Sequence, residues 1–213
     1  MSMIVNHVIL ADKQMRITRR CKTSLTVVLT GVLVACQLLP GCQWSARAPR
    51  VSARQQVLIH RMLECMRQRL ACIQDVARWK WNAGQAIHDP AREQALLADM
   101  IARGKEKGLK ADDVESFFTA QMRGARQLQE AAFTRWKRGQ VEKLPPGPEL
   151  VELRSRIDRI NGEMLDLLPE AIQTSTSLIA REYWQSQGEK ILSGEEINEE
   201  IRKTVLEPFV NPQ

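Results

Sequence analysis

Across residues 51–81 apolar side chains recur at intervals of three and four with no Gly or Pro between them, the period of one long amphipathic helix. A break over residues 82–88 leads to Asp89-Pro90. Aspartate accepts backbone N–H bonds at a helix start and proline suits the first helical position, so a second helix is predicted to run to about Lys107 and close at Gly108. A third begins near Ala111, where Asp112, Asp113 and Glu115 favour the positive N-terminal end, and continues to about Arg138. Gly139 and the run Pro145-Pro146-Gly147-Pro148 form a linker. Beyond it the pattern predicts a fourth helix over 149–168, a fifth started by Pro169, and a short sixth capped by Ser193 with Glu196. No segment after the N-terminal region alternates as a strand would. The expected fold class is all-α: a bundle of about six helices, the first of them long.

Polar groups interrupt the apolar stripes of this bundle. On the first helix Met62, Met66, Arg69, Ile73, Val76 and Lys80 share one stripe, and two of them are cations. Arg69 and Lys80 lie about 16 Å apart along the axis, so their side chains can lean toward each other across a ligand-sized gap. The third helix aligns Phe118, Met122, Ala125, Gln129, Ala132 and Trp136, setting a neutral donor among small residues. The fourth aligns Leu150, Arg154, Ile157, Asn161, Met164 and Leu168, with Arg154 its single charge. Arg92 and Glu93 sit within a turn of Asp89, beside free N–H groups that suit anions and hydroxyls. Singly, each has a plain alternative: Arg and Lys snorkel along apolar faces, Gln129 suits a helix edge, Asp89 is a cap and Glu93 a solvated charge. Together they suggest a pocket for a small hydroxylated dianion, because a cation on a core-facing position is costly unless an anion meets it.

The formal charge of +6 does not point to nucleic acid. Lys13, Arg16, Arg19, Arg20 and Lys22 against Asp12 place four of those charges before residue 43, and no basic or aromatic-interleaved block follows. Instead, the early cations precede an apolar run over 25–39 that ends at Pro40-Gly41, the layout of a secretory signal peptide. The run is short of the roughly 20 residues a spanning helix needs. Residues 1–42 are therefore expected to be a signal, opening at Met1 or more tidily at Met15, with 43–50 a short linker and 51–213 the mature helical domain. Leu33-Val34-Ala35-Cys36 has the spacing of a bacterial lipoprotein signal, and Cys42 is a second, poorer candidate; ordinary cleavage is the alternative. Export to the periplasm or beyond is expected either way, with membrane attachment only through such a lipid anchor. Cys65 and Cys72, seven residues apart on one helix, are about 10 Å apart and too far for a disulfide. No Cys/His cluster has metal-ligand spacing.

From Arg69-Leu70 through Asp75-Val76-Ala77-Arg78-Trp79-Lys80-Trp81, Asp89-Pro90-Ala91-Arg92-Glu93 and Phe117-Phe118 to Gln121 and Gln129, the sequence resembles the all-α (AroQ) class of chorismate mutases, in its secreted γ subtype. The resemblance spans residues 58–165; the helices over 169–213 fall outside the motifs and are expected to pack on the bundle, with Ile179, Trp184 and Leu206 in the core. It implies conversion of chorismate to prephenate in aromatic amino acid (Phe/Tyr) biosynthesis, an intramolecular rearrangement with no cofactor and no metal. It also implies roles. Arg69, Arg92 and Arg154 would hold the substrate carboxylates, Lys80 and Gln129 would donate to the ether oxygen, and Glu93 with the Asp89 region would hold the ring hydroxyl. Two positions are particular to this chain. Ala125 stands where the family usually has a small hydroxyl residue, and Gln129 where some members have Glu. The γ subtype builds its site within one chain; the family suggests a homodimer, although no stripe here is surplus to the core. Two other readings stay open at this level: an isochorismate pyruvate-lyase on the same scaffold, and a non-catalytic exported helical binding protein.

Overall fold

A computed structural model describes residues 50–212; the signal-peptide, start-codon and lipidation expectations at Met15, Cys36 and Cys42 lie outside the described residues. Among the described residues there are six α-helices and no strand: α1 Ala53–Asn82, α2 Pro90–Glu106, α3 Ala111–Arg138, α4 Leu150–Thr174, α5 Leu178–Ile191 and α6 Glu199–Val210. None is long and apolar enough to cross a membrane.

Side-chain caps mark the starts of α1 and α2. Ser52 and Gln55 form a reciprocal capping box on α1, the Ser52 hydroxyl accepting from Gln55 N–H at 3.3 Å and the Gln55 side-chain Oε1 from Ser52 N–H at 2.9 Å. Asp89 accepts from Arg92 N–H at 3.2 Å ahead of Pro90, so this cap also orients the first turn that carries Arg92 and Glu93. α1 packs along α4 and against α3 and α5, and buries Ile59, Met62, Leu63, Met66, Leu70 and Ile73 between them. α2 is peripheral, burying only Met100 and Gly104. Gly104 permits its approach to α3, since a Cβ there would stand 2.6 Å from Val114.

α6 packs against α3 and α5, and α5 also packs against α1. Trp184 on α5 stacks on Phe209 of α6 with centroids 4.2 Å apart and planes at 9°, and Phe209 meets Phe117 at 5.5 Å. Trp184 and Leu206 are buried in this core and Ile179 is half-buried.

Two expected boundaries are corrected. Pro169 does not start a helix: α4 runs through it to Thr174. A proline inside a helix costs about 3 kcal/mol, but Pro169 is exposed while Leu165, Leu167, Leu168, Ala171 and Thr174 carry the buried face past it. Continued burial at about 1.5–3 kcal/mol per large side chain outweighs the break. The final helix is not capped by Ser193 and Glu196 either. Its cap is Asn198, which accepts from Ile201 N–H at 2.9 Å, whereas the Ser193 hydroxyl donates to Lys190 O and Glu196 pairs with Arg135 at 2.5 Å.

Candidate functional site

Arg69, Lys80, Asp89, Arg92, Glu93, Ala125, Gln129 and Arg154 line a single cavity of about 120 Å³ between α1, α2, α3 and α4. Apolar side chains of Ile73, Val76, Leu96, Met122 and Ile157 form the rest of its wall. Four cations face two carboxylates, leaving an excess of two positive charges that a dianion would match.

Arg69 lies deepest, with 3% of its surface exposed. Its Nε–H donates to Asn161 Oδ1 and its Nη1–H to the main-chain oxygen of Gln121, both at 3.0 Å. Both acceptors are neutral, and no carboxylate among the described residues reaches ion-pair distance of this guanidinium. Burial pulls its pKa down to about 10, which leaves it protonated at neutral pH.

Lys80 is half-buried, and its ammonium donates to Ile87 O at 2.5 Å. Burial moves its pKa below the ordinary lysine value; Asp89 and Glu93 oppose that shift and Arg154 adds to it. The bond to Ile87 fixes the connection between α1 and α2, which carries Asp89, against the end of α1. Glu93 is held by Arg126 at 2.7 Å, with His88 Nε2 at 3.8 Å on the same oxygen. Arg92 is shared with Asp158 of α4 at 3.3 Å.

Gln129 is buried on α3 with one N–H donating to Ala125 O at 3.2 Å. A primary amide has two donors, so one remains for a ligand, and its Oε1 is buried without a partner. Ala125 brings only a methyl group to the wall.

The structure thus gathers all eight residues singled out in the sequence, with one correction. Arg154 is not buried on its stripe but exposed, at the rim of the cavity beside Leu150. A guanidinium near the start of a helix reaches water readily there, so the desolvation inferred for it does not arise. Sequence reasoning missed Arg126 and Asp158, whose ion pairs set Glu93 and Arg92. Asp158 follows Arg154 by one turn, a spacing that could have flagged it; nothing in the sequence marks Arg126 or the Ile87 carbonyl. Asn161 was visible on the stripe, but its bond to Arg69 was not.

Residues 60–130 match the family model for chorismate mutase type II. The chain is 29% identical over 105 residues to a secreted chorismate mutase of Mycolicibacterium smegmatis, covering 49% of this chain and 58% of that one. It is 29% identical over 104 residues to a secreted chorismate mutase of Mycobacterium tuberculosis, covering 49% and 52%. The aligned part spans only about half the length of these curated relatives. Among solved structures it is similar to chorismate mutase from Burkholderia thailandensis, with TM-score 0.63 and 24% identity over 72% of this chain and 99% of that one. It is also similar to secreted chorismate mutase from Yersinia pestis, with TM-score 0.59 and 17% identity over 70% and 94%.

Proposed function

From the match of residues 60–130 to the chorismate mutase type II family model and the likeness to secreted chorismate mutases, we propose that the chain is a member of that family and rearranges chorismate to prephenate. The observation that carries the reading is Arg69, a buried cation held only by neutral acceptors and lining a cavity with a net excess of two positive charges. Such a site is costly when empty and favourable when a small dianion enters.

The rearrangement breaks the ether C–O bond and forms a C–C bond within one molecule. The protein has to fold the enolpyruvyl chain over the ring and stabilise charge growing on the ether oxygen. Arg69 from within, and Arg92 and Arg154 from the rim, bind the two carboxylates and restrict the chain to its reactive conformer. Lys80 and the free N–H of Gln129 donate to the ether oxygen, where fixed donors favour the transition state over the ground state. Glu93, oriented by Arg126, and the Asp89 region receive the ring hydroxyl. A 10⁶-fold acceleration asks about 8 kcal/mol of these effects together. No step needs a general acid or base.

Export is part of the proposal, supported by the signal-like layout of residues 1–42 and by relatives named as secreted. Lipid attachment at Cys36 or Cys42 is its finer form, tested by radiolabelled fatty-acid incorporation and its loss in Cys→Ala variants at each position. Homodimerisation, which the family suggests, is read from the solution mass. The function itself is tested by giving the purified protein chorismate and isochorismate separately and identifying the products. Prephenate from chorismate, abolished in Arg69→Ala and Lys80→Ala, supports the mutase. Pyruvate release from isochorismate would establish the lyase instead, and binding without turnover a sensor.

A further inference from the structure

An arginine buried in a protein interior is ordinarily met by a carboxylate, because an uncompensated charge in a low-dielectric surrounding is costly. Arg69 departs from that rule through one residue. Asn161 on α4 is fully buried, and its Oδ1 accepts from Arg69 Nε–H at 3.0 Å. The amide orientation is fixed by the partner, since Nε–H can only donate and the oxygen must face it. Asn161 is not part of the cavity wall, so it acts on Arg69 and not on the contents. Its Nδ2 is buried with no partner.

An aspartate at this position would have nearly the same shape, accept the same bond, leave no orphaned donor and neutralise the cation. The amide forgoes both gains. What it preserves is the positive charge of a guanidinium that is still held in place. Gln121 supports the other edge: its main-chain oxygen accepts from Arg69 Nη1–H at 3.0 Å, and its side-chain Nε2 donates to Val205 O of α6 at 2.9 Å. Arg69 is thus oriented from α3 and α4 by two neutral acceptors.

We propose that Asn161 is a positioning residue that aims the Arg69 guanidinium at the cavity while leaving its charge free for a substrate carboxylate. The inference rests on the chorismate reading for its substrate, but its electrostatic half concerns the free protein alone. The test compares the wild-type full-length chain with Asn161→Asp and Asn161→Leu by chorismate kinetics and by thermal melting without ligand. Asn161→Asp should raise KM about tenfold or more, the weakening of one charge-assisted hydrogen bond to substrate, with a smaller change in kcat and a Tm at or above the wild type. Asn161→Leu keeps the cation but releases its orientation, and kcat/KM should fall about tenfold or more. A KM for Asn161→Asp within about twofold of wild type, or wild-type kinetics in Asn161→Leu, overturns the proposal; so does a lowered Tm in Asn161→Asp. If the wild type turns over no chorismate, the mutase reading fails, and the ligand-free Tm of Asn161→Asp still decides the charge argument: at or above wild type supports it, below refutes it.

Discussion

Replacing Lys80 by methionine removes an ammonium while nearly keeping the length and volume of the side chain, so the cavity wall should persist. Lys80 has one duty seen in the structure and a separable one in the proposed reaction. One is the 2.5 Å bond to Ile87 O, which ties down the connection leading to Asp89. A hydrogen bond from a charged donor contributes about 1.5–3 kcal/mol, and half-exposure to water brings this one to the lower end. At roughly 2–4 °C per kcal/mol for a protein of this size, melting should fall by only a few degrees. The other is the proposed donation to the ether oxygen. Loss of one preorganised donor at a site of developing charge costs about 2.7–4 kcal/mol, or 10²–10³ in kcat. On the proposed roles Arg69, Arg92 and Arg154 would still hold the carboxylates in Lys80→Met, so KM should rise far less than kcat falls. The assay is the disappearance of chorismate absorbance at saturating and limiting substrate, with melting followed by circular dichroism. A kcat within about tenfold of wild type in a protein that melts normally would refute the assignment of Lys80 to the transition state. An unchanged kcat with a large rise in KM would make it a binding cation only.

Gln129 donates at any pH, and Arg69 and Lys80 are both cationic at neutrality, so wild-type turnover should vary little between roughly pH 5 and 8. Above that plateau it should fall as Lys80, whose pKa burial lowers, loses its proton. Gln129→Glu donates only when protonated, so its activity should be present at acid pH and lost as pH rises through the pKa of the new carboxyl; a flat profile in that variant would exclude Gln129 as the donor. Ala125→Ser places a hydroxyl in the cavity wall, and a new bond to a substrate carboxylate should lower KM by up to about tenfold; an unchanged KM would show that the hydroxyl turns back onto the helix backbone instead. Gly124 lies where a Cβ would collide with Val205 of α6, so Gly124→Ala should lower stability by about 1–3 kcal/mol in denaturant melts, and an unaltered midpoint would mean that α6 shifts freely.

Much of this protein is legible in one dimension because helices repeat every 3.6 residues. The stripe from Met62 to Lys80 announced both its buried face and the two cations on it, and the Asp89-Pro90 pair announced the start of α2 next to Arg92 and Glu93. Periodicity and capping are local, and the spacing of the motif residues carries the family resemblance without knowledge of packing. What needed the tertiary structure were the relations between helices. Pro169 reads as a helix start until the buried face of α4 is seen to continue past it to Thr174. Arg154 reads as buried until its helix is placed with that position at the rim. The pairing of Glu93 with Arg126 crosses 33 positions, and that of Arg69 with Asn161 crosses 92. The sequence determined which side chains the chain can offer to a dianion. Whether Arg69 keeps its charge for one was decided only in three dimensions, because compensation depends on which group packing brings within 3 Å, and here it brought an amide.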